Sequence, residues 1–207
     1  MRRNDCKIRI VLFDFDGTIV DTMDALANKA SEIISKALAI DKETARKSYL
    51  SLAGRPFREQ LKLLGVDEPR REQAALEFEE FKKSLVKSIK LDPLVINRLN
   101  ALRSLGLKIY LSTNTECSVI MENKDLTEVF DGVLCHDPLT GSRKGRHHLE
   151  ELTKLENVEL DEIVFVGDSL YDLEIYGRLG IKAIKTRGLW VPEDKSVEAI
   201  IEYCEKR

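Results

Sequence analysis

The sequence predicts an α/β fold: a doubly wound parallel sheet with helices on both faces and a helical domain inserted after the first strand. Three observations predict this class. Near the start of the chain, the apolar run of residues 10–13 leads directly into Asp14 and Asp16. From Asp92 onward, short apolar runs alternate with stretches of helical periodicity, which is typical of a parallel sheet with helices on its faces. Between these regions, residues 22–91 show only helical patterns.

The elements of the sheet core follow one another in regular order. Gly106 and Gly180 each follow the last periodic residue of a predicted helix, where glycine commonly ends a helix. The core is therefore assigned to residues 1–21 and 92–207. Strands are expected at residues 10–13, 107–111, 129–135, 163–166 and 181–185, and core helices at 93–105, 117–124, 144–155, 170–179 and 192–206.

The inserted segment, residues 22–91, is predicted to contain several helices. Apolar residues recur at helical spacing between Ala25 and Leu38. Pro56 suits the first turn of a new helix. Arg55 and Arg58 flank this proline and are candidates to bind a substrate carboxylate or a second phosphate. Two solvated arginines at a helix start are the alternative interpretation, and the pattern favours it slightly.

Composition excludes several classes of function. The 207 residues suffice for one core with an insertion, 33% of them are charged, and the formal net charge is −3. This near-balance argues against bulk electrostatic binding to nucleic acid or to an anionic membrane. No apolar run approaches the length of a membrane span, and Arg9 and Asp14 interrupt any signal-peptide core. We therefore expect a cytoplasmic protein without nucleic-acid or membrane partners. Abundant Lys and Glu with only two glutamines are typical of thermophiles.

The cysteines and histidines lack the spacing of a metal site. The four cysteines lie far apart without a C-x-x-C pair, so neither a zinc site nor a disulfide framework is predicted. His147 and His148 are adjacent, whereas a helical metal pair needs spacing of four residues. A surface or supporting position is expected for them.

Asp14 and Asp16 indicate a metal-dependent site. Side chains two residues apart in an extended segment point the same way, so these carboxylates can converge. Carboxylates this close repel and raise each other's pKa unless a cation lies between them. A polar turn would explain a lone Asp-Gly, but not an aspartate directly after four apolar residues. The pair therefore predicts a metal ion at this strand end.

Other predicted strands end in groups of matching chemistry. Thr113 and Asp168 follow two of them, and ligands of open α/β sheets bind at the carboxyl ends of strands. Phosphoryl transfer needs an in-line nucleophile, a proton donor for the leaving oxygen and positive charge on the phosphoryl oxygens. Asp14 can attack as a carboxylate, and Asp16 can protonate the leaving alkoxide and later deprotonate water. Lys144 supplies positive charge, Thr113 a hydroxyl donor, and Mg²⁺ is the ion that suits oxygen ligands here.

Together these motifs resemble those of the haloacid dehalogenase-like hydrolase superfamily. Their order and strand placement agree with the superfamily across essentially the whole chain. The position of the helical insertion is similar to that of the cap in the subgroup of phosphoglycolate phosphatases and β-phosphoglucomutases. The matching segments are Asp14-Phe15-Asp16-Gly17-Thr18, Thr113-Asn114, Lys144 and Gly167-Asp168-Ser169-Leu170-Tyr171-Asp172.

The resemblance implies a Rossmann-type core, a helical cap domain over residues 22–91, and a Mg²⁺-dependent phosphatase that forms an aspartyl-phosphate intermediate on a small phosphorylated metabolite. The nucleophile would be Asp14, and Asp16 would be the acid/base and bind the metal through its backbone carbonyl. The metal site would be completed by Asp168. The remaining implied roles are phosphate binding by Thr113, Asn114 and Lys144, and orientation of Lys144 or a metal-bound water by Asp172.

The sequence leaves some alternatives open. Lys144 is followed by Gly145, where close relatives usually have proline, so Arg143 and Arg146 remain alternatives for this motif position. A one-residue shift at the strand end would exchange Thr113 for Ser112, although the adjacent asparagine favours Thr113. An acid two residues after the nucleophile favours a phosphate ester over a halide as substrate. A sugar phosphomutase of the same architecture is the alternative function, and a non-catalytic binding module is the least favoured.

Overall fold

The computed structural model describes residues 6–205. Five strands form one parallel sheet in the order β3-β2-β1-β4-β5, which confirms the predicted fold class. The three central strands are mostly buried, because helices cover both faces of such a sheet. The strands are β1 (Ile10–Phe13), β2 (Lys108–Glu116), β3 (Gly132–His136), β4 (Ile163–Gly167) and β5 (Lys182–Lys185).

The inserted helical segment and the sheet core form two compact units, residues 22–88 and residues 6–21 with 89–205. The helices of the insertion are α1 (Met23–Leu38), α2 (Lys42–Ser51), α3 (Phe57–Leu63) and α4 (Glu68–Ser88). Its own core includes Phe57 and Phe78, whose rings stack with centroids 4.1 Å apart. Burial of one face of α1, including Leu26 and Ile34, explains the helical periodicity of the sequence there.

The helices of the sheet core differ from the predicted ones at two breaks. A single helix was expected over 117–124, but Asn123 starts a separate helix by accepting a hydrogen bond from Leu126 N. The helix expected from Lys144 begins two residues later, because Gly145 has a φ of 101°, which a helix does not allow. The core helices are α5 (Pro93–Ser104), α6 (Cys117–Ile120), α7 (Lys124–Thr127), α8 (Arg146–Glu156), α9 (Leu170–Arg178) and α10 (Ser196–Glu205).

The central strand β1 is flanked by β2 on one side and β4 on the other. Phe13, its last residue, pairs with Leu111 and with Val166. The strand order reverses at β1, so the connections from it leave a crevice at the carboxyl end of the sheet. Asp14 therefore emerges at the centre of this crevice.

A buried arginine ties α5 to the segment that precedes α10. The guanidinium of Arg98 donates hydrogen bonds to four backbone carbonyls, and the residue is only 7% exposed. These carbonyls belong to Leu189, Val191, Pro192 and Asp194, at distances of 2.6, 2.9, 3.2 and 2.8 Å. This cluster holds a long connection without regular structure against the core.

All four cysteines form disulfides, so the expectation of no disulfide framework was wrong. Cys6 pairs with Cys204 of α10, and Cys117 at the start of α6 pairs with Cys135 of β3. The paired residues are separated by 198 and 18 positions in the sequence. Spacing rules could not identify pairs that only the folded sheet and its helices bring together. Within residues 6–205, no helix has the length and apolarity needed to cross a membrane.

Candidate active site

Asp14 lies at the centre of the carboxyl edge of the sheet. As the first residue after β1, it is 6% exposed, and its backbone N–H donates to the carbonyl of Val166 at 2.9 Å. Its carboxylate accepts hydrogen bonds from Phe15 N at 2.7 Å and from Lys144 Nζ at 2.5 Å. Continuation of the sheet ladder past β1 thus fixes the position of this carboxylate.

Lys144 lies between two buried carboxylates. Its Nζ donates to Asp14 and, at 2.7 Å, to Oδ2 of Asp172, and its side chain is 5% exposed. Asp172 is in the first turn of α9, and its carboxylate also accepts a hydrogen bond from Ser169 Oγ at 2.7 Å. By contrast, Arg146 pairs with Glu150 at the surface. Of these two cations, it is Lys144 that contacts Asp14.

The charges of this cluster do not balance. Burial raises the pKa of Asp14 well above its ordinary value; Lys144 opposes this rise, while Asp172 and Asp168 add to it. Burial likewise raises the pKa of Asp168. For Lys144, burial alone lowers the pKa, but the neighbouring carboxylates of Asp14 and Asp172 outweigh burial and raise it. The lysine is therefore a permanent cation among three carboxyl groups, and a further positive charge would stabilise their ionised forms.

Asp14 and Asp168 fit the ligand requirements of Mg²⁺. The charge of Asp168 raises the pKa of Asp14, so a cation between the two carboxyl groups would favour their ionised forms. Among the described residues, no group of three or more His, Cys, Asp or Glu side chains has the geometry of a metal site. This does not conflict with Mg²⁺, because that ion commonly uses one or two carboxylates together with waters and substrate phosphate oxygens.

Asp16 lies in a tight turn that follows β1. The turn is closed by hydrogen bonds from Gly17 N to Val20 O and from Ile19 N to Phe15 O, both at 2.9 Å. Gly17 has a φ of 77°, a conformation that favours glycine. Asp16 is partly exposed, unlike Asp14. The turn therefore gives the two aspartates different environments, one buried against Lys144 and the other partly exposed.

The candidate phosphate-binding residues at the end of β2 form hydrogen bonds with different partners. Thr113 Oγ1 accepts a hydrogen bond from Thr115 N and donates to Thr115 Oγ1, both at 3.0 Å. The side-chain oxygen of Asn114 accepts from the backbone N–H of Lys144 at 3.3 Å. Ser112 instead contacts His148 and Tyr176 in the interior. Asn114 is thus the residue of this motif that contacts the Lys144 segment.

Tyr176 and Ser169 contribute to this site and were not predicted. His148 is fully buried, so of the two positions expected for it, at the surface or in support of the site, only the second agrees with the structure, and Tyr176 is fully buried too. The hydroxyl of Ser169 supports Asp172. Within residues 6–205, the buried hydroxyl of Thr18 has no hydrogen-bond partner. Only Ser169 had a local indication, since a serine before a helix with an aspartate three residues later is a typical N-cap.

Arg55 belongs to the inserted unit. Its guanidinium donates to Glu59 at 2.9 Å, and its backbone carbonyl accepts from Gln60 Nε2 at 3.0 Å. Arg58 pairs with Glu72 of the same unit at 3.0 Å. A role for Arg55 in substrate binding stays a prediction.

Comparison with known proteins identifies the family. The family model of the haloacid dehalogenase-like hydrolases matches residues 11–186. No curated protein matches the chain. Similar solved structures include a β-phosphoglucomutase from Clostridium difficile, with 18% identity, a TM-score of 0.73 and coverage of 96% of this chain and 98% of that one. A predicted phosphoglycolate phosphatase from Haemophilus somnus has 16% identity, a TM-score of 0.70 and coverage of 96% and 99%.

A third similar structure is a haloacid dehalogenase-like hydrolase from Streptococcus pneumoniae, with 19% identity, a TM-score of 0.68 and coverage of 95% and 91%. At such identities these structures show a common fold. The match to the family model extends from β1 to just beyond β5 and includes Asp14, Lys144 and Asp168. The chain therefore belongs to the haloacid dehalogenase-like hydrolase family.

Proposed function

We propose that this hydrolase is a Mg²⁺-dependent phosphatase that acts on a small phosphorylated metabolite through an aspartyl-phosphate intermediate. The observation that supports this most directly is the contact of Lys144 Nζ with Asp14 Oδ1 at 2.5 Å. It combines a carboxylate nucleophile with a fixed cation at the carboxyl end of the central strand. Family membership supports the coarser statement, a hydrolase of the phosphoryl-transfer type.

In this proposal, Asp14 attacks phosphorus with one carboxylate oxygen and displaces the alkoxide of the substrate. The ammonium of Lys144 binds the phosphoryl oxygens and offsets the charge that develops on them. Asp172 and Ser169 orient the lysine through their hydrogen bonds. Because Lys144 is held by two carboxylates, it is positioned before substrate binds.

Asp16 would transfer the protons. It lies two residues beyond Asp14 in the turn after β1 and is partly exposed, so it can give a proton to the leaving oxygen. After the alcohol departs, the same carboxylate can remove a proton from the water that hydrolyses the aspartyl-phosphate. Thr113 and Asn114 at the end of β2 would complete the phosphate site.

Mg²⁺ would be held by the carboxylates of Asp14 and Asp168 and by the backbone carbonyl of Asp16. When bound, the ion would supply the positive charge that lets an anionic carboxylate approach an anionic phosphate ester. The rise in the pKa of Asp14 and Asp168 caused by burial supports this assignment, since both acids gain from a neighbouring cation.

The inserted unit, residues 22–88, would act as a cap that excludes water and selects the substrate. Arg55 would contribute to that selection. We propose that the protein is cytoplasmic. Disulfides are rare there except in hyperthermophiles, and the thermophile-like composition of the chain agrees with that exception.

A sugar phosphomutase is the second candidate, favoured by the similarity to a β-phosphoglucomutase over 96% of the chain. Such an enzyme would return the phosphoryl group from Asp14 to a sugar instead of to water. Turnover that depends on a bisphosphorylated sugar would favour it. A non-catalytic binding module is the least supported, because Asp14, Asp16 and Lys144 are all chemically competent.

The proposal is tested by hydrolysis of a generic aryl phosphate, followed by a panel of phosphorylated metabolites. Activity should require Mg²⁺ and be lost in Asp14→Asn. Asp125→Asn is the matched control, because Asp125 is exposed on the short helix α7. Substantial activity of Asp14→Asn, with the control unaffected, would refute the nucleophile assignment.

A further inference from the structure

The backbone of Gly145, next to Lys144, has a conformation that proline cannot adopt. Its φ is 101°, whereas proline is restricted to about −65°. Its N–H donates a hydrogen bond to the hydroxyl of Tyr176 at 3.2 Å, and proline has no N–H to donate. Glycine at this position is therefore matched to a specific partner on α9.

Tyr176 is itself fixed on two sides. It is fully buried, and its ring stacks on Phe165 of β4 with centroids 4.0 Å apart. Its hydroxyl is 2.7 Å from Ser112 Oγ on β2. Phe165 also lies beneath the lysine, since Lys144 Nζ is 5.6 Å from the centroid of its ring. Tyr176 thus contacts both the peptide that follows Lys144 and the ring below its ammonium.

The hydrogen bonds continue from Ser112 to His148 and end at a backbone carbonyl. His148 Nδ1 is 2.8 Å from Ser112 Oγ, and Nε2 is 3.2 Å from the carbonyl oxygen of Cys135. A carbonyl only accepts, so Nε2 must carry a proton. Burial lowers the pKa of His148 to about 4, so near pH 7 the ring is neutral and Nδ1 is an acceptor.

This determines every donor in the chain. Ser112 must donate to His148, so its oxygen accepts from the hydroxyl of Tyr176, which burial keeps protonated by raising its pKa to about 12. The hydroxyl oxygen of Tyr176 then accepts from the N–H of Gly145. These four hydrogen bonds can all form at once only with this one assignment of donors and acceptors. Such a network strongly favours one arrangement of its members.

The segment at Lys144 is consequently held at two successive peptides. Asn114 accepts from the N–H of Lys144, and Tyr176 accepts from the N–H of Gly145. We propose that Tyr176 is a positioning residue: through Ser112 and His148 it fixes the Gly145 peptide, so that the ammonium of Lys144 meets Asp14.

The first test measures positioning without reference to catalysis. Tyr176→Phe keeps the ring and its stacking on Phe165 but removes the hydroxyl. Loss of one hydrogen bond, worth about 1 kcal/mol, should speed amide hydrogen exchange of Gly145 roughly fivefold to tenfold. Tyr110→Phe is the matched control, because Tyr110 is also a buried tyrosine, and its hydroxyl bonds to Glu156 instead. Unchanged exchange at Gly145 in Tyr176→Phe would overturn the inference.

The second test asks whether Tyr176 acts through Lys144, and it rests on the proposed phosphatase activity. With an aryl phosphate and Mg²⁺, Tyr176→Phe should lower kcat/KM roughly tenfold, mainly through kcat. In a Lys144→Ala background the same change should have no further effect, because the residue it positions is gone. An equal loss in both backgrounds would overturn the inference, since Tyr176 would then act independently of the lysine.

The outcomes separate the two proposals. If the wild-type protein hydrolyses no phosphate ester, the proposed function fails, and exchange at Gly145 still decides the positioning role. If Tyr176→Phe does not fold, Ser112→Ala replaces it, since it removes the acceptor for the tyrosine proton. That variant should speed exchange at Gly145 about two- to threefold, and no change would overturn the inference.

Discussion

Replacing Lys144 by methionine should destabilise the folded protein severely at neutral pH. Its ammonium lies 2.5 Å from Asp14 and 2.7 Å from Asp172, and the side chains of these partners are only 9% and 2% exposed. Removing one member of a buried ion pair leaves an uncompensated charge and costs about 3–5 kcal/mol. Methionine retains most of the apolar volume of the lysine, so the loss reports mainly the missing charge.

The destabilisation should depend on pH. The folded-state pKa of Asp14 lies above its ordinary value of 3.8, so ionisation of Asp14 costs stability as pH rises through the folded-state pKa. Lys144 is the strongest influence that lowers this pKa, so Lys144→Met raises it further. The variant should therefore lose the most stability relative to wild type at the highest pH and recover part of the difference as the pH falls and Asp14 takes up a proton.

The assay is urea unfolding followed by circular dichroism at pH values from about 4 to about 8, with EDTA present. Arg146→Met is the matched control, since Arg146 is 72% exposed and pairs with an exposed glutamate at 3.8 Å. Such surface pairs contribute about 0–1 kcal/mol, so the control should stay within that range at every pH. A loss below about 1 kcal/mol for Lys144→Met at pH 7, or a loss independent of pH, would refute the reasoning.

Four further outcomes test the site and the fold. Mg²⁺ should raise the Tm of the wild-type protein, because an ion that binds only the folded state stabilises it by about 2.7 kcal/mol at a concentration of a hundred times Kd. Asp168→Asn should abolish this shift in Tm, and an equal shift in that variant would place the ion elsewhere. Asp16→Asn should slow hydrolysis of alkyl phosphates more than that of aryl phosphates, since only poor leaving groups need a proton; equal losses would exclude the acid role. Arg98→Met should lower the free energy of unfolding by about 4 kcal/mol, because it leaves two buried and two partly buried carbonyls without their donor. Arg98→Lys should lower the free energy of unfolding less. Cys6→Ser should lower that free energy by about 2–5 kcal/mol under oxidising conditions and have little effect in the presence of a reductant, which a chemical denaturation curve in each condition would measure.

The architecture could be predicted because its physical causes are local in sequence. The strands β1 and β4 are apolar runs, since their residues are covered on both faces, and helices separate each strand from the next along the chain. The family could be inferred for a similar reason, because phosphoryl-transfer chemistry concentrates recognisable residues such as Asp14 and Asp168 directly after strands. Strand order follows from pairing between distant segments and needed the structure.

The breaks in the helices and the cysteine pairs were determined by tertiary structure. Cys6 and Cys204 are neighbours only because the segment before β1 reaches α10 in the folded chain. Asn123 and Gly145 interrupt helical patterns because a side-chain cap and a positive φ, respectively, outweigh propensity there. Periodicity cannot detect either effect.

The sequence by itself determined the fold class, the helical insertion and the chemical types present at the carboxyl ends of the strands, since each depends on residue type and on spacing of a few positions. Only the tertiary structure decided the partners of these groups. Contacts of Lys144 with Asp14 and Asp172, and of Tyr176 with Gly145, join residues 130, 28 and 31 positions apart. Contacts between residues so far apart in the sequence form because the chain crosses from one strand of the sheet to another, and no local sequence pattern predicts them.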